Sequence, residues 1–327
     1  MATAAILGIL GFYFLSVTHL ILRGKAHLPI MREYLGTTRF FAPINFIMYL
    51  FTRGDKSAIV KDRQKQLPTL KILEDNWEII RDEAEALQKQ NRLSFGKYEP
   101  DIGFSTFQKA GWKRFYIKWY GIYNNSALEA APKTVALLKK MGNDLKAAAF
   151  VILPPGSRLG RHRDPYAGSM RYHLGLRVPN SENCFISVDD NKYAWMDGEG
   201  VLLDQTYVHY VENNTDKHRL ILLCDVKRNV YFPANIICAI GDFMMRLAAL
   251  PNNEQDSMGI AAKAFLPFLH GIRSWEEWKK KFKSNDKNKK AYYIGKRILS
   301  GAVVLGLAFL IYKFVAPLTN SLISRFQ

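Results

Sequence analysis

The sequence that decides the fold spans residues 154–228: it opens with PPGSRLGRHRDPY (154–166), continues with MRYHLGLRVP (170–179) and closes with DQTYVHYVENNTDKHRLILLCDVKR (204–228). Short runs of alternating apolar and polar residues are separated there by turn-forming pairs such as Pro179-Asn180 and Asp197-Gly198. Closely spaced short strands of this kind predict an all-β sandwich or jelly roll. The predicted core strands are residues 146–153, 170–178, 184–188, 192–196, 201–203, 208–212 and 219–226.

Two histidines and one aspartate in this stretch are placed to bind a metal. His162 and Asp164 are two residues apart, so on a strand their side chains point to the same side. His209 can supply a third ligand from a neighbouring strand. Two histidines and one carboxylate on one face of an octahedron are the ligand set of non-haem Fe(II) oxygenases. Arg219, ten residues after His209, lies on an alternating run where its guanidinium can clamp a dicarboxylate.

The main alternative for such a trio is a zinc site that activates water for hydrolysis. The sequence contains no HExxH helix, and it also lacks the GxSxG motif of serine hydrolases and the GxxxxGK[ST] phosphate loop. In a zinc hydrolase Arg219 would have no purpose. The pattern therefore favours an iron oxygenase.

Around these residues the sequence resembles the aspartyl/asparaginyl β-hydroxylase family of Fe(II)/2-oxoglutarate oxygenases. The resemblance lies in the PPG turn before His162, the run RYHLGLRVP (171–179) and the spacing from His209 to Arg219. The upstream run APKTVALLKKMGNDLKAAAFVILPPG (131–156) also looks like the family. Roughly residues 95–228 are covered. The resemblance implies a mainly β catalytic core, a double-stranded β-helix (jelly roll) with flanking helices and with the metal at one mouth.

The resemblance also implies the cofactors, Fe(II), 2-oxoglutarate and O2. The implied iron ligands are His162, Asp164 and His209. Arg219 would hold the distal carboxylate of 2-oxoglutarate, while Arg171 and His173, which alternate on one strand face, would contact the carboxylate next to the keto group. A structural ion pair is the alternative for both arginines. His218, next to Arg219, should face away from the site.

Within the family, the chain looks most like the bacterial enzymes that add a 2-hydroxyl group to an acyl chain of lipid A. The animal peptide β-hydroxylases have glycine at the position that matches Asp164, whereas this chain keeps the carboxylate. Three hypotheses result: a lipid hydroxylase acting on a lipid with an anionic head group, a hydroxylase of peptidyl aspartate or asparagine, and a non-catalytic membrane scaffold. Nucleic-acid binding is a weak fourth, because no reader motif accompanies the basic charge.

Residues 4–22 (AAILGILGFYFLSVTHLIL) predict an N-terminal transmembrane helix, since about 20 apolar residues span a bilayer. No basic n-region precedes this run and no clear cleavage site comes after it, so a retained anchor is favoured over a signal peptide. Arg23 and Lys25 come immediately afterwards, and by the positive-inside rule this end faces the cytoplasm. We expect His19 to pack between helices rather than to bind a metal.

The C-terminal region predicts a second anchor, residues 298–316, directly after a basic segment. Residues 273–297 hold ten basic residues against three acidic ones, a pattern typical of lysines at an anionic leaflet. The net charge of +17 likewise implies an anionic partner. Together the two anchors predict a multi-pass protein of the bacterial inner membrane with its catalytic domain in the cytoplasm.

The remaining segments complete a predicted division of the chain. Residues 23–93 form a membrane-proximal and helical segment, 94–228 the oxygenase domain and 229–272 interfacial apolar segments. Within them, one amphipathic helix should run from Pro68 to beyond Leu87, a strand over 113–121 and a helix over 133–141. Residues 39–52 suit either buried core or an in-plane segment. An interfacial helix is preferred for 231–250, with a hairpin or a span as the rivals. The three cysteines, Cys184, Cys224 and Cys238, predict buried thiols and no disulfide framework.

Overall fold

The computed structural model describes residues 2–29, 38–93 and 111–285, with 288, 290 and 292–294. Its strands are β1 (Lys113–Trp119), β2 (Ile122–Tyr123), β3 (Leu145–Leu153), β4 (Arg158–His162), β5 (Ser169–Arg177), β6 (Cys184–Val188), β7 (Asn191–Ala194), β8 (Gly200–Leu203), β9 (His209–Asn213) and β10 (Arg219–Lys227). Its helices are α1 (Ala2–Leu22), α2 (Thr38–Leu50), α3 (Arg63–Gln66), α4 (Leu70–Glu74), α5 (Trp77–Lys89), α6 (Asn125–Ala130), α7 (Pro132–Lys140), α8 (Ala234–Leu247) and α9 (Ile260–Lys283).

The strands form two antiparallel sheets, one of six strands in the order β2-β1-β3-β10-β5-β8 and one of four in the order β4-β9-β6-β7. From β3 to β10 successive strands are divided between the two sheets in the manner of a jelly roll. The predicted mainly β core and its seven strands are therefore confirmed, with ends that differ by up to two residues. Strand β4 is an addition, and it carries His162 at its end.

Strand β10 shows how alternation builds two separate cores. Ile221 and Leu223 pack between the sheets with residues of both, whereas Leu220 and Leu222 belong to the core beneath the helices. Arg219 therefore shares the face of Ile221 and enters the space between the sheets, because side chains alternate along a strand. The core beneath the helices includes one stripe of α5, formed by Ile80, Ala84 and Leu87, together with residues of α4, α6 and α7.

The prediction of one continuous helix after Pro68 is wrong, because α4 ends at Glu74 and α5 begins at Trp77. The side chain of Asn76 donates a hydrogen bond of 2.8 Å to the carbonyl oxygen of Ile72. Such a local side-chain bond competes with the helical ladder, which explains the break. The helix and strand predicted around residues 133–141 and 113–121 are confirmed.

Helices α1 and α2 pack along each other at the N-terminal end. Among the described residues, one helix is long and apolar enough to cross a membrane, the predicted segment Ala4–Leu22. His19 packs edge-on against Phe46 with ring centroids 5.0 Å apart, as expected of a helix-packing residue. Residues 39–52, for which buried core and an in-plane segment were the two interpretations, lie mostly in α2, which buries residues such as Met48 and exposes others such as Phe40.

Helix α8 accounts for most of the apolar segment 231–250. Its 14 residues, at 1.5 Å per residue, are shorter than the ~30 Å hydrocarbon core of a bilayer. This segment thus forms a single short helix, and it forms neither a hairpin nor a helix long enough to span the bilayer. Asp242 of α8 forms an ion pair of 2.7 Å with the buried Lys146 of β3, which ties the helix to the large sheet.

Contacts divide the chain into two compact units, residues 1–265 and 266–327. The first unit contains both sheets. In the second, Trp275 and Trp278 stack on α9 with ring centroids 4.7 Å apart. The predicted C-terminal span 298–316 lies outside the described residues, as do the first 17 residues of the predicted oxygenase domain, 94–110, and parts of the basic segment 273–297. The three cysteines are buried and free, as predicted.

Candidate functional site

The three predicted iron ligands converge at one end of the smaller sheet. His162, the last residue of β4, lies opposite His209, the first residue of β9, in the strand register. Their rings are therefore neighbours, with centroids 4.1 Å apart. The backbone N–H of Asp164 donates to the carbonyl oxygen of Gln205 at 3.0 Å, which folds the chain after β4 toward both rings. One ligand atom from each of the three side chains lies within 4.8 Å of the others.

The hydrogen bonds of the two histidines leave the correct nitrogen for a metal. Nδ1 of His162 lies 2.9 Å from the carbonyl oxygen of Gly160, and Nδ1 of His209 lies 3.0 Å from that of Tyr207. A carbonyl oxygen only accepts, so each Nδ1 donates, and Nε2 is the nitrogen of each ring that is left to bind a metal. Burial and then the neighbouring His162 lower the pKa of His209 to about 3, so this ring is neutral at pH 7. Such backbone acceptors are the usual second layer of metal-binding histidines.

Asp164 divides its two oxygens between the histidines and an arginine. Oδ1 lies 3.6 Å from Nε2 of His162 and 3.9 Å from Nε2 of His209. Oδ2 accepts a hydrogen bond of 2.7 Å from Nη1 of Arg171. Burial by itself would raise the pKa of Asp164, but Arg171 and the two histidines outweigh it and lower the pKa, which keeps the carboxylate ionised. The donor set of two imidazoles and one carboxylate oxygen fits Fe(II).

Arg171 is held from its other side by Asp225. Its Nε donates to Oδ1 of Asp225 at 3.1 Å, and the hydroxyl of Tyr120 donates to Oδ2 of the same aspartate at 3.4 Å. The register of β5 and β10 pairs Arg171 with Asp225, so the contact results from the sheet itself. Arg171 is thus engaged by two carboxylates, one of them an iron-ligand candidate.

Arg219 and His173 lie deeper between the sheets. The guanidinium of Arg219 is fully buried, and none of its three nitrogens has a hydrogen-bond partner among the described residues. It lies over the ring of Trp195 at 4.2 Å and near that of Trp112 at 4.9 Å. Burial lowers the pKa of Arg219 to about 10, so it stays charged at pH 7. A buried cation with no acceptor fits an anionic ligand such as the distal carboxylate of 2-oxoglutarate.

His173 is the second side chain in this space without a polar contact. Both of its ring nitrogens lack hydrogen-bond partners among the described residues, although the ring is buried. Burial and then the charges of Arg219 and Arg171 lower its pKa well below the usual value. His218, the next residue before Arg219, is exposed and faces away, as expected.

A cavity of about 1040 Å³ leads from the metal ligands to the surface between α2 and α8. Its inner end contains His162, Asp164 and Arg171. The wall is mostly apolar and aromatic, with Trp119, Tyr120, Ala147, Ala148, Ala149, Tyr166 and Leu223. At the mouth lie the exposed side chains of Phe41, Ile44, Ile240 and Met244. The charged groups thus lie at the closed end and the hydrocarbon groups at the open end.

The segment after α1 is attached to the loops that carry the metal ligands. Arg23 forms an ion pair of 2.7 Å with the fully buried Asp204 and lies between the rings of Tyr49 and Tyr207, 3.8 Å from each centroid. Arg228 lies 2.8 Å from the other carboxylate oxygen of Asp204. Burial would raise the pKa of Asp204, but the two arginines outweigh it and lower the pKa strongly.

A second set of bonds secures the same segment. The backbone N–H groups of Lys25 and Ala26 donate to Oδ1 of Asp189, which lies between β6 and β7. Arg163, the residue between the first two metal-ligand candidates, donates to the carbonyl oxygens of Arg23 at 3.3 Å and Ala26 at 3.4 Å. Sequence reasoning assigned Arg23 to membrane topology alone, because nothing in the linear order links it to residues about 180 positions away.

Two other residues at the site escaped prediction. Asp225 is one carboxylate within an apolar strand, and only the register of β5 and β10 reveals its contact with Arg171. Gln205 positions Asp164 through a backbone carbonyl, for which any residue type would serve. The available signal for Asp225 was a charge on the face of β10 that also carries Arg219.

Comparison with known proteins gives a consistent result. Residues 74–229 match the protein family described as aspartyl/asparaginyl β-hydroxylase. The ornithine lipid ester-linked acyl 2-hydroxylase of Rhizobium tropici is 32% identical over 215 residues, which are 64% of this chain and 69% of that protein. Human aspartyl/asparaginyl β-hydroxylase is 30% identical over 161 residues, which are 48% of this chain and 21% of that protein.

This chain therefore spans about a fifth of the human relative's length. Among solved structures, a Pseudomonas putida prolyl-4-hydroxylase aligns with a TM-score of 0.34 at 14% identity, over 57% of this chain and 99% of that one.

Proposed function

Because the chain belongs to the aspartyl/asparaginyl β-hydroxylase family, we propose that it is a membrane-bound Fe(II)- and 2-oxoglutarate-dependent hydroxylase of lipid acyl chains. The observation that carries the proposal is the polarity of the cavity. Its only described carboxylates and arginines lie near the metal-ligand candidates, and its mouth is formed by Phe41, Ile44, Ile240 and Met244. A hydrocarbon chain matches this path, whereas an aspartyl peptide would bring polar backbone groups into an apolar mouth.

The residues of the chain have separate tasks in this proposal. When bound, iron supplies the oxidation of an unactivated C–H bond, with O2 and 2-oxoglutarate as co-substrates. His162, Asp164 and His209 would hold the metal. Arg219 would bind the distal carboxylate of 2-oxoglutarate, and the unpartnered ring of His173 lies where it can donate to the same molecule. The apolar walls exclude water from the reacting carbon.

Arg171 takes a different task from the one that the resemblance implied. Since Asp164 and Asp225 already engage its guanidinium, we propose that it orients the carboxylate ligand and does not contact 2-oxoglutarate. Its position at the inner end of the cavity keeps it next to the metal.

The proposed reaction adds a hydroxyl to the carbon next to the acyl carbonyl. The R. tropici relative is named for a 2-hydroxylation of an ornithine lipid, and the overall positive charge of this chain suits a lipid with phosphate groups. We propose lipid A as the substrate and place the active site on the cytoplasmic side of a bacterial inner membrane. Ornithine lipid and peptidyl aspartate or asparagine are the alternatives that the experiment must separate.

Mass spectrometry of lipids from a Gram-negative host that lacks such an enzyme tests the proposal. Cells would express the wild type, His162→Ala or the control His218→Ala, which alters an exposed histidine outside the site. The expected result is one added oxygen on a lipid A acyl chain with the wild type and the control, and none with His162→Ala. An added oxygen on ornithine lipid instead would correct the substrate. Unmodified lipids, with the protein present in the membrane and hydroxylated peptides detected, would refute lipid hydroxylation.

A further inference from the structure

We propose that α2 and α8 insert into one leaflet of the membrane as an apolar collar around the cavity, so that an acyl chain enters the active site sideways from the lipid. The apolar collar comprises Phe40, Phe41, Ile44, Ile240, Phe243 and Met244. The lateral route rests on the proposed lipid substrate, but insertion of the collar does not depend on it.

The first support is the position of α2 relative to the candidate membrane helix. The contact between α1 and α2 includes Tyr13, Val17 and Leu20 of α1, which are part of the apolar segment Ala4–Leu22. The ring of Phe12 also lies edge-on to Phe46 of α2, with centroids 5.9 Å apart. Because α2 contacts the C-terminal half of the apolar segment of α1, and Tyr49 near the end of α2 reaches Arg23 just after that segment, α2 shares the leaflet with that half of α1 when α1 spans the bilayer.

The second support is the exposure of the collar. On α2, Phe40 is 66% exposed and Ile44 39%; on α8, Ile240 is 59%, Phe243 60% and Met244 58% exposed. Ile44, Ile240 and Met244 line the opening of the cavity, and Phe40 and Phe243 are exposed on the same two helices. An apolar surface of this size would be costly in water. The occupant that we assign is lipid, since α1 contacts the same helix and is itself exposed along most of its length.

The third support is the type of residue at the edge of the collar. The guanidinium of Arg39 lies 4.8 Å from the ring centroid of Phe40, and that of Arg53 lies 4.2 Å from the ring centroid of Tyr231, which is 55% exposed. Arginine beside an exposed aromatic ring is typical of the membrane–water interface, where the ring lies at the head-group level and the charge meets phosphate.

Polar contacts tie α8 and the end of α1 to the part of the protein that carries the metal-ligand candidates. The depth at which the collar inserts therefore sets the position of the metal site relative to the lipid. The ion pair of Lys146 with Asp242 joins α8 to the sheet, and the hydroxyl of Tyr166 donates to the carbonyl oxygen of Cys238 at 3.3 Å. Tyr166 lies two residues after the metal-ligand candidate Asp164. Arg23 fixes the end of α1 to Asp204 in the same way. The metal centre is thus held at a fixed distance from the leaflet, and the cavity mouth opens within it.

Fluorescence quenching tests the insertion without any need for activity. Single substitutions Phe40→Cys and Phe243→Cys in the full-length protein would carry an environment-sensitive fluorophore, since the three native cysteines are buried. The protein would be reconstituted in vesicles of phosphatidylethanolamine and phosphatidylglycerol with brominated acyl chains. Leu128→Cys is the matched control, because Leu128 is an exposed apolar residue on α6, away from the collar. We expect several-fold stronger quenching at positions 40 and 243 than at 128.

A kinetic comparison tests the lateral route. Phe243→Glu should lower turnover of lipid in vesicles on the order of tenfold, because a carboxylate disfavours insertion, and it should leave turnover of a short-chain soluble analogue unchanged. Ile79→Glu, on the exposed side of α5, should alter neither rate. Equal loss of both rates in Phe243→Glu would overturn the lateral route.

The two assays separate this inference from the proposed function. Quenching at positions 40 and 243 without lipid oxidation would leave the collar standing and refute the lipid substrate. Lipid oxidation with quenching no stronger than at position 128 would keep the substrate and overturn the collar.

Discussion

Arg171 donates from Nη1 to Oδ2 of Asp164 at 2.7 Å, and this contact leaves Oδ1 as the oxygen that faces both histidines. An aspartate with two free oxygens could bind a metal in several ways. Here the arginine occupies one oxygen and favours a single-oxygen ligand. Because Arg171 is itself held by Asp225, the geometry of the metal-ligand candidate Asp164 depends on a residue outside the candidate ligand set.

Asp225→Asn should weaken iron binding about 10- to 100-fold, the usual cost of losing a group that orients a ligand. The substitution removes the charge that pairs with Arg171, and Asp164 then loses its fixed orientation. The measurement is an anaerobic Fe(II) titration against a competing chelator. Tyr120→Phe removes the weaker hydrogen bond of 3.4 Å to Asp225 and a contact of 3.5 Å with Ser169, and it should have a smaller effect. Equal iron affinity in Asp225→Asn and the wild type would contradict the orienting role.

Arg219→Met should strongly weaken binding of 2-oxoglutarate and leave the ligand-free protein at least as stable. The buried guanidinium has no acceptor among the described residues, so removing it relieves an unpaired charge. Loss of the pair with the bound carboxylate should raise the KM for 2-oxoglutarate on the order of 10²- to 10³-fold. The measurement is the thermal midpoint with and without 2-oxoglutarate, together with steady-state kinetics.

Arg177→Met is the control for this prediction, because Arg177 is an exposed arginine of β5 that pairs with Glu85 at 2.6 Å. It should keep the rise in thermal midpoint on addition of 2-oxoglutarate. A similar rise in Arg219→Met would show that the distal carboxylate binds elsewhere.

The metal-free protein should lose stability as the pH falls below 6.5, in part through His173. Burial and the charges of Arg219, Arg171 and His209 lower the pKa of His173 well below its usual 6.5. Below pH 6.5 the unfolded chain binds a proton on this histidine that the folded chain does not bind. The contribution of neutral His173 to the free energy of unfolding is therefore complete above pH 6.5, and it is lost as the pH falls toward the folded-state pKa. At pH 5.5, one unit below the usual histidine value, the loss is about 1 kcal/mol.

Thermal midpoints of wild type and His173→Gln between pH 7.5 and 5.5 measure this effect. The variant should show a flatter dependence over that interval. Identical slopes in the two proteins would mean that His173 takes up a proton in the folded state.

Gly175→Ala should destabilise the protein by about 1–3 kcal/mol, the range for overpacking. A Cβ at this position of β5 would meet the backbone carbonyl oxygen of Met196, which cannot move aside as a side chain can. Gly160→Ala, where a Cβ would meet open space, is the control. Denaturant midpoints of both variants test this prediction, and equal midpoints would show that the segment between β7 and β8 yields easily.

The sheet could be predicted from the sequence because the pleat imposes a period of two on residues such as Ile221 and Leu223. Strand β4 was not predicted because it packs weakly. Arg158, Gly160 and Arg161 are exposed, so the alternation of buried and exposed residues is lost. The break between α4 and α5 escaped for another reason. The spacing from Leu73 to Ile80 equals two helical turns, so the apolar stripe continues across it.

The candidate site likewise contains residues that could be predicted from the sequence and residues that could not. His162, Asp164 and His209 could be selected together because the chemistry of iron requires their types at strand spacing. The ion-pair partners of Arg171 could not be predicted from the sequence. A guanidinium binds any carboxylate, and the choice of Asp225 depends on the pairing of β5 with β10. The apolar collar likewise needs α2 and α8 to meet, although they are about 190 residues apart in the chain.

For the proposed function, the attachment of Arg23 to Asp204 also makes the candidate iron site sensitive to loss of α1. A protease that removed α1 together with Arg23 would leave Asp204 buried with Arg228 as its remaining ion-pair partner in the described chain. The loop 204–207, which leads into His209 and holds Asp164, would lose a support. Release of the proposed membrane-bound hydroxylase from the membrane would then abolish its activity and not merely relocate it. Oxidation at the proposed iron centre would be restricted to molecules that are still anchored, and shed fragments would pose little oxidative risk to other cell constituents.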